Sequence, residues 1–360
     1  MIPLRKLVRK LALSAASLGL FFLGAEIVVR AVEPGPFSFL DHDPYTPAAK
    51  PAGKFHKPGF VGRWDATWYE INALGMRGPA FEPTFDQQEF RVLCVGDSCT
   101  LGKGVLDQET WPRLLETKLV EAFAGDDSGR RAMVGNLGLN GADGRIYDQL
   151  YREIGEALKP QLVVVGYNLN DFPNSIQAID QTVYREATLR RLIPDGLRDP
   201  MNRSALYRFV RATYYEMRRG RDWRVAEEMA AQSSNATLAS PVWQEQRKYI
   251  KSIKDRAAAH GGQTMVLLFP YQSQLYLSNF DTTAIDRMGE LCAELDLPFV
   301  NLASSFVEAA KISEQRYFLR GDRYHPNPAG YEVVSRAIMQ TLGEQGWFGF
   351  SKSTAAPSTN

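Results

Sequence analysis

The sequence predicts a three-layer α/β/α sandwich around a five-stranded parallel sheet, with a transmembrane helix ahead of it and a helical insertion within it. Three observations lead there. Five short apolar runs, at residues 92–95, 132–137, 162–165, 265–269 and 298–302, alternate with helical patterns. Runs such as Leu162-Val163-Val164-Val165 are apolar without alternation, as in strands covered on both faces. Polar motifs follow several of these runs, at the carboxyl ends of strands, where open α/β sheets hold their ligands. Composition agrees: 44% of the 360 residues are hydrophobic and 23% charged, which excludes a disordered, collagen-like or polytopic membrane chain.

The elements follow in order. Arg5, Lys6, Arg9 and Lys10 precede an apolar stretch from Leu11 to Ala25 that extends to Val32 across Glu26 and Arg30. These two are spaced to pair on one helix face. With no convincing small-residue cleavage site and no lipobox cysteine, residues 1–33 read as an uncleaved signal anchor rather than a cleaved signal. The basic end is then cytoplasmic and the remainder exported, to the periplasm or outer face of a bacterium. Residues 34–60, with Pro34, Pro36, Pro44, Pro47, Pro51 and Pro58, read as a linker. Residues 61–90 form an extension that includes Asn72-Ala73-Leu74-Gly75-Met76-Arg77-Gly78. The main domain spans 91–347, with helices expected at 109–123, 145–158, 242–260, 285–295 and 328–342. The insertion lies at about 172–241. Its segment 183–225 holds eleven arginines against five acids, interleaved with aromatic residues. It reads as a helical cap with a solvated basic face, or as an electropositive lid for acidic glycans or lipid headgroups. The small, polar tail at 348–360 is expected to be disordered.

Four polar motifs carry the chemistry. Gly96-Asp97-Ser98-Cys99-Thr100-Leu101-Gly102 joins the first strand to a helix. It is readable as an ordinary capped turn or as a turn that projects a serine nucleophile. In Asp322-Arg323-Tyr324-His325-Pro326-Asn327, His325 has the residue type of a general base, and Asp322 is placed to orient its ring. The same residues could instead make a turn and a helix cap. Asn136-Leu137-Gly138-Leu139-Asn140-Gly141 and Gly166-Tyr167-Asn168-Leu169-Asn170-Asp171 end strands two and three. Each is readable as a polar strand-to-loop passage or as a source of oxyanion donors. Cys99 beside Ser98 reads as a small packed side chain, since no partner cysteine is near in sequence.

Taken together, Ser, Gly, Asn and Asp-x-x-His in this order resemble the SGNH hydrolases, also called the GDSL esterase/lipase family, over residues 91–342. The resemblance implies a flavodoxin-like sheet of order 2-1-3-4-5. It implies Ser98 as nucleophile and Asp322 and His325 as its partners. It further implies Gly141 and Asn170 as oxyanion donors beside the Ser98 N–H. Two departures stand: Asn168 occupies the position where the family's Gly-x-Asn-Asp has glycine, and Gly138 competes with Gly141. The 72–78 stretch followed by the serine motif also resembles a membrane-anchored bacterial branch, several of whose members act on surface polysaccharides.

The motifs and the resemblance together imply a serine esterase working through an acyl-Ser98 intermediate, and the resemblance to polysaccharide-modifying members implies that it removes a small acyl group, acetyl, from envelope or extracellular carbohydrate. Acyl transfer to polysaccharide, lipid ester hydrolysis, and a non-catalytic glycan-binding or scaffold role remain alternatives. No cofactor or metal is expected: the four histidines are scattered without metal-ligand spacing. The three cysteines, Cys94, Cys99 and Cys292, cannot build a multi-bridge framework. The expected partners are an ester substrate, the membrane and envelope polysaccharide machinery. Net charge of +1 and the export signal disfavour nucleic acid.

Overall fold

The computed structural model describes residues 4–32, 45–50, 53–64, 67–81, 88–125, 129–171, 201, 204–207, 209–210, 213, 237–276, 282–319, 322 and 324–351. Most of the arginine-rich insertion and the 352–360 tail lie outside the described residues. Helix α1 (Leu4–Val32) contains 24 residues, Val8–Ala31, long and apolar enough to cross a membrane. At 1.5 Å per residue they extend about 36 Å, against about 30 Å of bilayer hydrocarbon. Leu11, Leu18, Phe21, Leu23 and Val28 on this helix are exposed. Glu26 pairs with Arg30 at 2.7 Å, as their spacing predicts. The same carboxylate also accepts hydrogen bonds from Ser204 Oγ and the N–H groups of Ala205 and Leu206, each 2.8 Å. The start of a helical piece of the insertion is thereby capped by a side chain of α1.

Two small hairpins follow. Strands β1 (Tyr45–Lys50) and β2 (Gly53–His56) pair antiparallel inside the stretch expected to be a linker. Strands β3 (Val61–Trp64) and β4 (Thr67–Glu70) form the second. Phe60, Tyr69 and Ile71 bury themselves against Leu101 of the main domain.

The central sheet contains β5 (Glu89–Gly96), β6 (Arg131–Gly138), β7 (Leu162–Asn168), β8 (Gln263–Phe269) and β9 (Phe299–Asn301). All its pairings are parallel and the order is β6-β5-β7-β8-β9, the expected 2-1-3-4-5. Alternation sends successive side chains to opposite faces. Leu93, Val95, Val163, Val165, Val266 and Leu268 enter one core, against α4 (Gly144–Leu150), α5 (Pro241–Ala258) and α7 (Thr283–Glu294). Val92, Cys94, Leu162, Val164, Met265 and Leu267 enter the other, against α3 (Trp111–Ala124), the short α6 (Ser273–Tyr276), α8 (Leu302–Ile312) and α9 (Pro328–Gln345). Both faces are therefore covered, which accounts for the unbroken apolar runs.

Besides the hairpin in the expected linker, two helical elements differ from expectation. The helix expected at 145–158 changes at Leu150 into a π turn, Tyr151–Gly155, and then a 3-10 turn, Glu156–Leu158. The change of pitch keeps both Tyr151 and Leu158 buried in the core. Helix α8 follows β9 with no loop: Asn301 ends the strand and caps the helix, its Oδ1 accepting from Ala303 and Ser304 N–H. An expected strand running through Leu302 conceals that start.

The strand ends leave little room beside the serine motif. A Cβ on Gly138 would lie 2.0 Å from the Leu101 nitrogen and 2.5 Å from its Cα, both backbone atoms. Gly138→Ala is expected to destabilise the protein by about 1–3 kcal/mol, read as a lower urea midpoint at unchanged slope. Burial, reinforced by the Arg77 charge, pushes His56 down to about 4 from 6.5. The unfolded chain then binds the extra proton, so His56 contributes stability above pH 6.5 that is lost as pH falls toward 4. Urea midpoints measured across that window should fall in the wild type and fall less in His56→Gln.

Candidate functional site

Ser98 opens α2 (Ser98–Leu101), the single turn that follows β5. Asp97 caps it: Oδ1 accepts from the Cys99 N–H at 2.8 Å. As the first residue of the helix, Ser98 has no carbonyl four residues back to receive its own N–H. A four-residue helix cannot stabilise itself, so the place of Ser98 is set by the groups at its ends and by its neighbours.

The loop before α9 brings the other side chains. Phe318 bridges Pro326, Leu319 N–H donates to His325 O, and Asn327 N–H donates to Tyr317 O. Asn327, not His325, caps α9, accepting from Gly330 N–H at 3.0 Å. Asp322 makes a turn as well as a side-chain contact. Its Oδ1 accepts from the N–H groups of Tyr324 and His325, 3.0 Å each, while Oδ2 lies 2.7 Å from His325 Nδ1. His325 Nε2 lies 2.8 Å from Ser98 Oγ. A proton on Nδ1, held by Asp322, leaves Nε2 to accept from the serine hydroxyl. This chain of carboxylate, imidazole and hydroxyl can draw the serine proton as the oxygen attacks an electrophile.

The environments of the carboxyl groups differ. Burial opposes charge on Asp322, but the adjacent His325 and the hydrogen bonds prevail and hold the carboxyl well below the usual carboxylate range. Asp97 is fully buried, and burial pushes its carboxyl up despite the bond from Cys99 N–H. Its Oδ2 is a second, longer neighbour of Ser98 Oγ at 3.3 Å. Asp171, also buried, is raised by burial and then by the charge of Asp97. It accepts from Tyr147 Oη and from Asn168 N–H, both 2.6 Å. Neither Asp97 nor the Tyr147–Asp171 pair stood out in the sequence as part of the site. The Asp of the serine motif and the Asp after Asn170 were the available signals.

The expected oxyanion donors lie at the same sheet edge. Gly141, at φ +72°, sits in an exposed turn past β6. The competing Gly138 is buried, and its N–H already donates to Asn136 Oδ1 at 2.9 Å. Asn168 is buried in β7, and its Nδ2 donates to Cys99 Sγ at 3.1 Å. Asn170 lies in the turn just beyond (Leu169–Asp171), and its side chain is outside the described residues. Cys99 Sγ in turn donates to Tyr324 O at 3.3 Å, tying α2 to the histidine loop.

The model of the GDSL-like Lipase/Acylhydrolase family matches residues 94–333, two thirds of the chain. A search of curated proteins gives no match. Among solved structures, LAE5, an alpha/beta hydrolase from the metagenome of Lake Arreo, is 17% identical, covering 70% of this chain and 94% of its own, with a TM-score of 0.42. TesA is 15% identical, covering 71% and 98%, with a TM-score of 0.41. A variant of Axe2, an acetyl-xylooligosaccharide esterase from Geobacillus stearothermophilus, is 17% identical, covering 70% and 94%, with a TM-score of 0.41.

All three cysteines are buried and free. Burial pushes the thiols of Cys94 and Cys99 up, and that of Cys292 to about 12. The native protein at pH 8 should therefore resist iodoacetamide, with mass spectrometry finding adducts at all three only after denaturation.

Proposed function

This chain belongs to the GDSL-like lipase/acylhydrolase family, and we propose that it is a serine esterase in which Ser98 is the nucleophile, His325 the general acid–base and Asp322 its orienting carboxylate. The observation that carries the reading is the continuous contact from Asp322 Oδ2 to His325 Nδ1 at 2.7 Å and from Nε2 to Ser98 Oγ at 2.8 Å. Ser98 Oγ attacks the ester carbonyl while its proton passes to Nε2. Asp322 stabilises the resulting imidazolium. The N–H groups of Ser98 and Gly141 and the side-chain amide of Asn170 receive the oxyanion, each contributing about 3–4 kcal/mol in the transition state. Collapse expels the alcohol, which takes the proton back from His325 and leaves acyl-Ser98. Water then regenerates the serine. A sugar hydroxyl in place of water completes transfer with the same residues.

The acyl group in this reading is small, acetyl, and its carrier is envelope carbohydrate. The resemblance of the 72–78 stretch and the serine motif to anchored relatives supports that choice. Helix α1, with Arg5, Lys6, Arg9 and Lys10 on its N-terminal side, supports anchorage with the enzyme domain outside the cytoplasm. The exposed apolar surface of α1 also favours a second reading, hydrolysis of a lipid ester at the membrane.

Full-length protein in detergent, offered aryl esters of increasing acyl length, should turn over acetyl and propionyl esters fastest. Preference for long chains would select the lipid reading. Ser98→Ala should abolish turnover, and equal rates in wild type and variant would remove the esterase reading in favour of binding. Asp322→Asn should lower kcat about 10⁴-fold, and Asn170→Ala about 10²- to 10³-fold.

A further inference from the structure

The Asn72–Gly78 stretch precedes the family-matched region and takes no part in the proton relay, yet its arginine reaches the serine turn. Asn72 folds the stretch on itself. Its Oδ1 accepts from the N–H groups of Leu74 and Met76 at 2.9 and 3.1 Å, and its Nδ2 donates to Pro79 O at 2.9 Å. Arg77 N–H then donates to Asn136 O of β6 at 3.0 Å, which fixes the turn on the sheet edge. From there the Arg77 side chain runs inward, 2% exposed, with its guanidinium 4.2 Å over the Tyr69 ring.

The guanidinium ends on carbonyls. Nη1 donates to Leu101 O at 2.8 Å and Gly102 O at 2.6 Å. Nη2 donates to Val105 O at 2.7 Å and Trp68 O at 3.3 Å. Leu101 and Gly102 are the last residue and the C-cap of α2, the turn that Ser98 opens. These carbonyls have no intrahelical partner in so short a helix. Gly102 is left-handed at φ +82°, and a Cβ there would stand 3.1 Å from Nη1 and 2.2 Å from Thr110 Cγ2. The left-handed glycine thus leaves room for the Thr110 methyl and the Arg77 guanidinium together. Asp97 holds the N-terminal end of α2, and Arg77 holds the other.

We propose that Arg77 is a positioning residue for Ser98: its planar fork fixes the C-terminal end of α2 and thereby the place of Ser98 Oγ opposite His325 Nε2. The inference rests on the reading of Ser98 as the nucleophile. It makes the 72–78 turn a working part of the site rather than a spacer between anchor and enzyme. Lysine cannot substitute, because an ammonium is a point charge with three donors, whereas this site uses a rigid fork to span four carbonyls.

The test compares full-length wild type, Arg77→Lys, Asn72→Ala and Ser98→Ala on the aryl ester that wild type cleaves fastest, well below each melting temperature. Arg77→Lys should lose about 10²-fold in kcat, the scale of a displaced reacting group, with KM within about threefold of wild type. The rate of Ser98 phosphonylation by a fluorophosphonate should fall in parallel. Asn72→Ala, which loosens the turn without touching the guanidinium, should lose about 10-fold in kcat at unchanged KM. It carries the test if Arg77→Lys does not fold. A folded Arg77→Lys with wild-type kcat, or with only a raised KM, overturns the inference, as does wild-type kcat in Asn72→Ala. Equal turnover by wild type and Ser98→Ala overturns the esterase reading and this inference with it. Turnover lost in Ser98→Ala but kept in Arg77→Lys overturns this inference alone.

Discussion

The hydrogen bond between His325 Nε2 and Ser98 Oγ joins residues 227 positions apart in the chain, and much of the architecture exists to close that gap. A parallel sheet puts the carboxyl ends of all its strands along one edge. Ser98 leaves β5 at that edge, and the loop carrying His325 returns there before α9. A tolerance of about an ångström at such a contact decides between a functioning relay and an inert pair. The approach is accordingly fixed more than once. Cys99 Sγ holds the Tyr324 carbonyl, and the Phe318–Pro326 bridge closes the neck of the loop. The one-turn helix bearing Ser98 is gripped from Asp97 on one side and Arg77 on the other.

Three carboxyl groups surround this contact, and their surroundings divide them. Asp322 faces an imidazole and two backbone N–H groups, which outweigh the cost of burial, so its anion is favoured. Asp97 and Asp171 lie buried beneath the site, and burial raises both. One chemical group thus serves as an electrostatic partner at the surface of the site and as hydrogen-bonding scaffold beneath it. The neighbouring charge and donors decide which.

The sheet was legible because its strands are covered on both faces, which leaves unbroken apolar runs such as 162–165 with little ambiguity of period. The Ser98, Asp322 and His325 motifs were legible because each sits where a strand or loop must turn, so chemistry and turn signals coincide. Arg77 was not legible in its role. A lone arginine between glycines looks solvated, and only the fold shows its guanidinium reaching the carbonyls of Leu101, Gly102 and Val105. The sequence favours Gly141 over Gly138 by its distance past the strand, while the bond of the Gly138 N–H to the Asn136 side chain has no sequence signature. Helix α8 escaped because its cap, Asn301, is also the last residue of a strand, so one side chain carried two opposite signals.

The contact made by Glu26 bears on proteolytic processing. An export signal is ordinarily disposable: once a peptidase removes it, the passenger folds as though it had never been there. Here the carboxylate of Glu26 receives Ser204 Oγ and the N–H groups of Ala205 and Leu206. Trimming the chain downstream of Glu26 would leave those three donors at the head of an insertion helix without their acceptor. The leading helix therefore behaves as an intramolecular ligand of the chain that follows it, and cleavage between them would change the fold's own contacts rather than only shorten the chain.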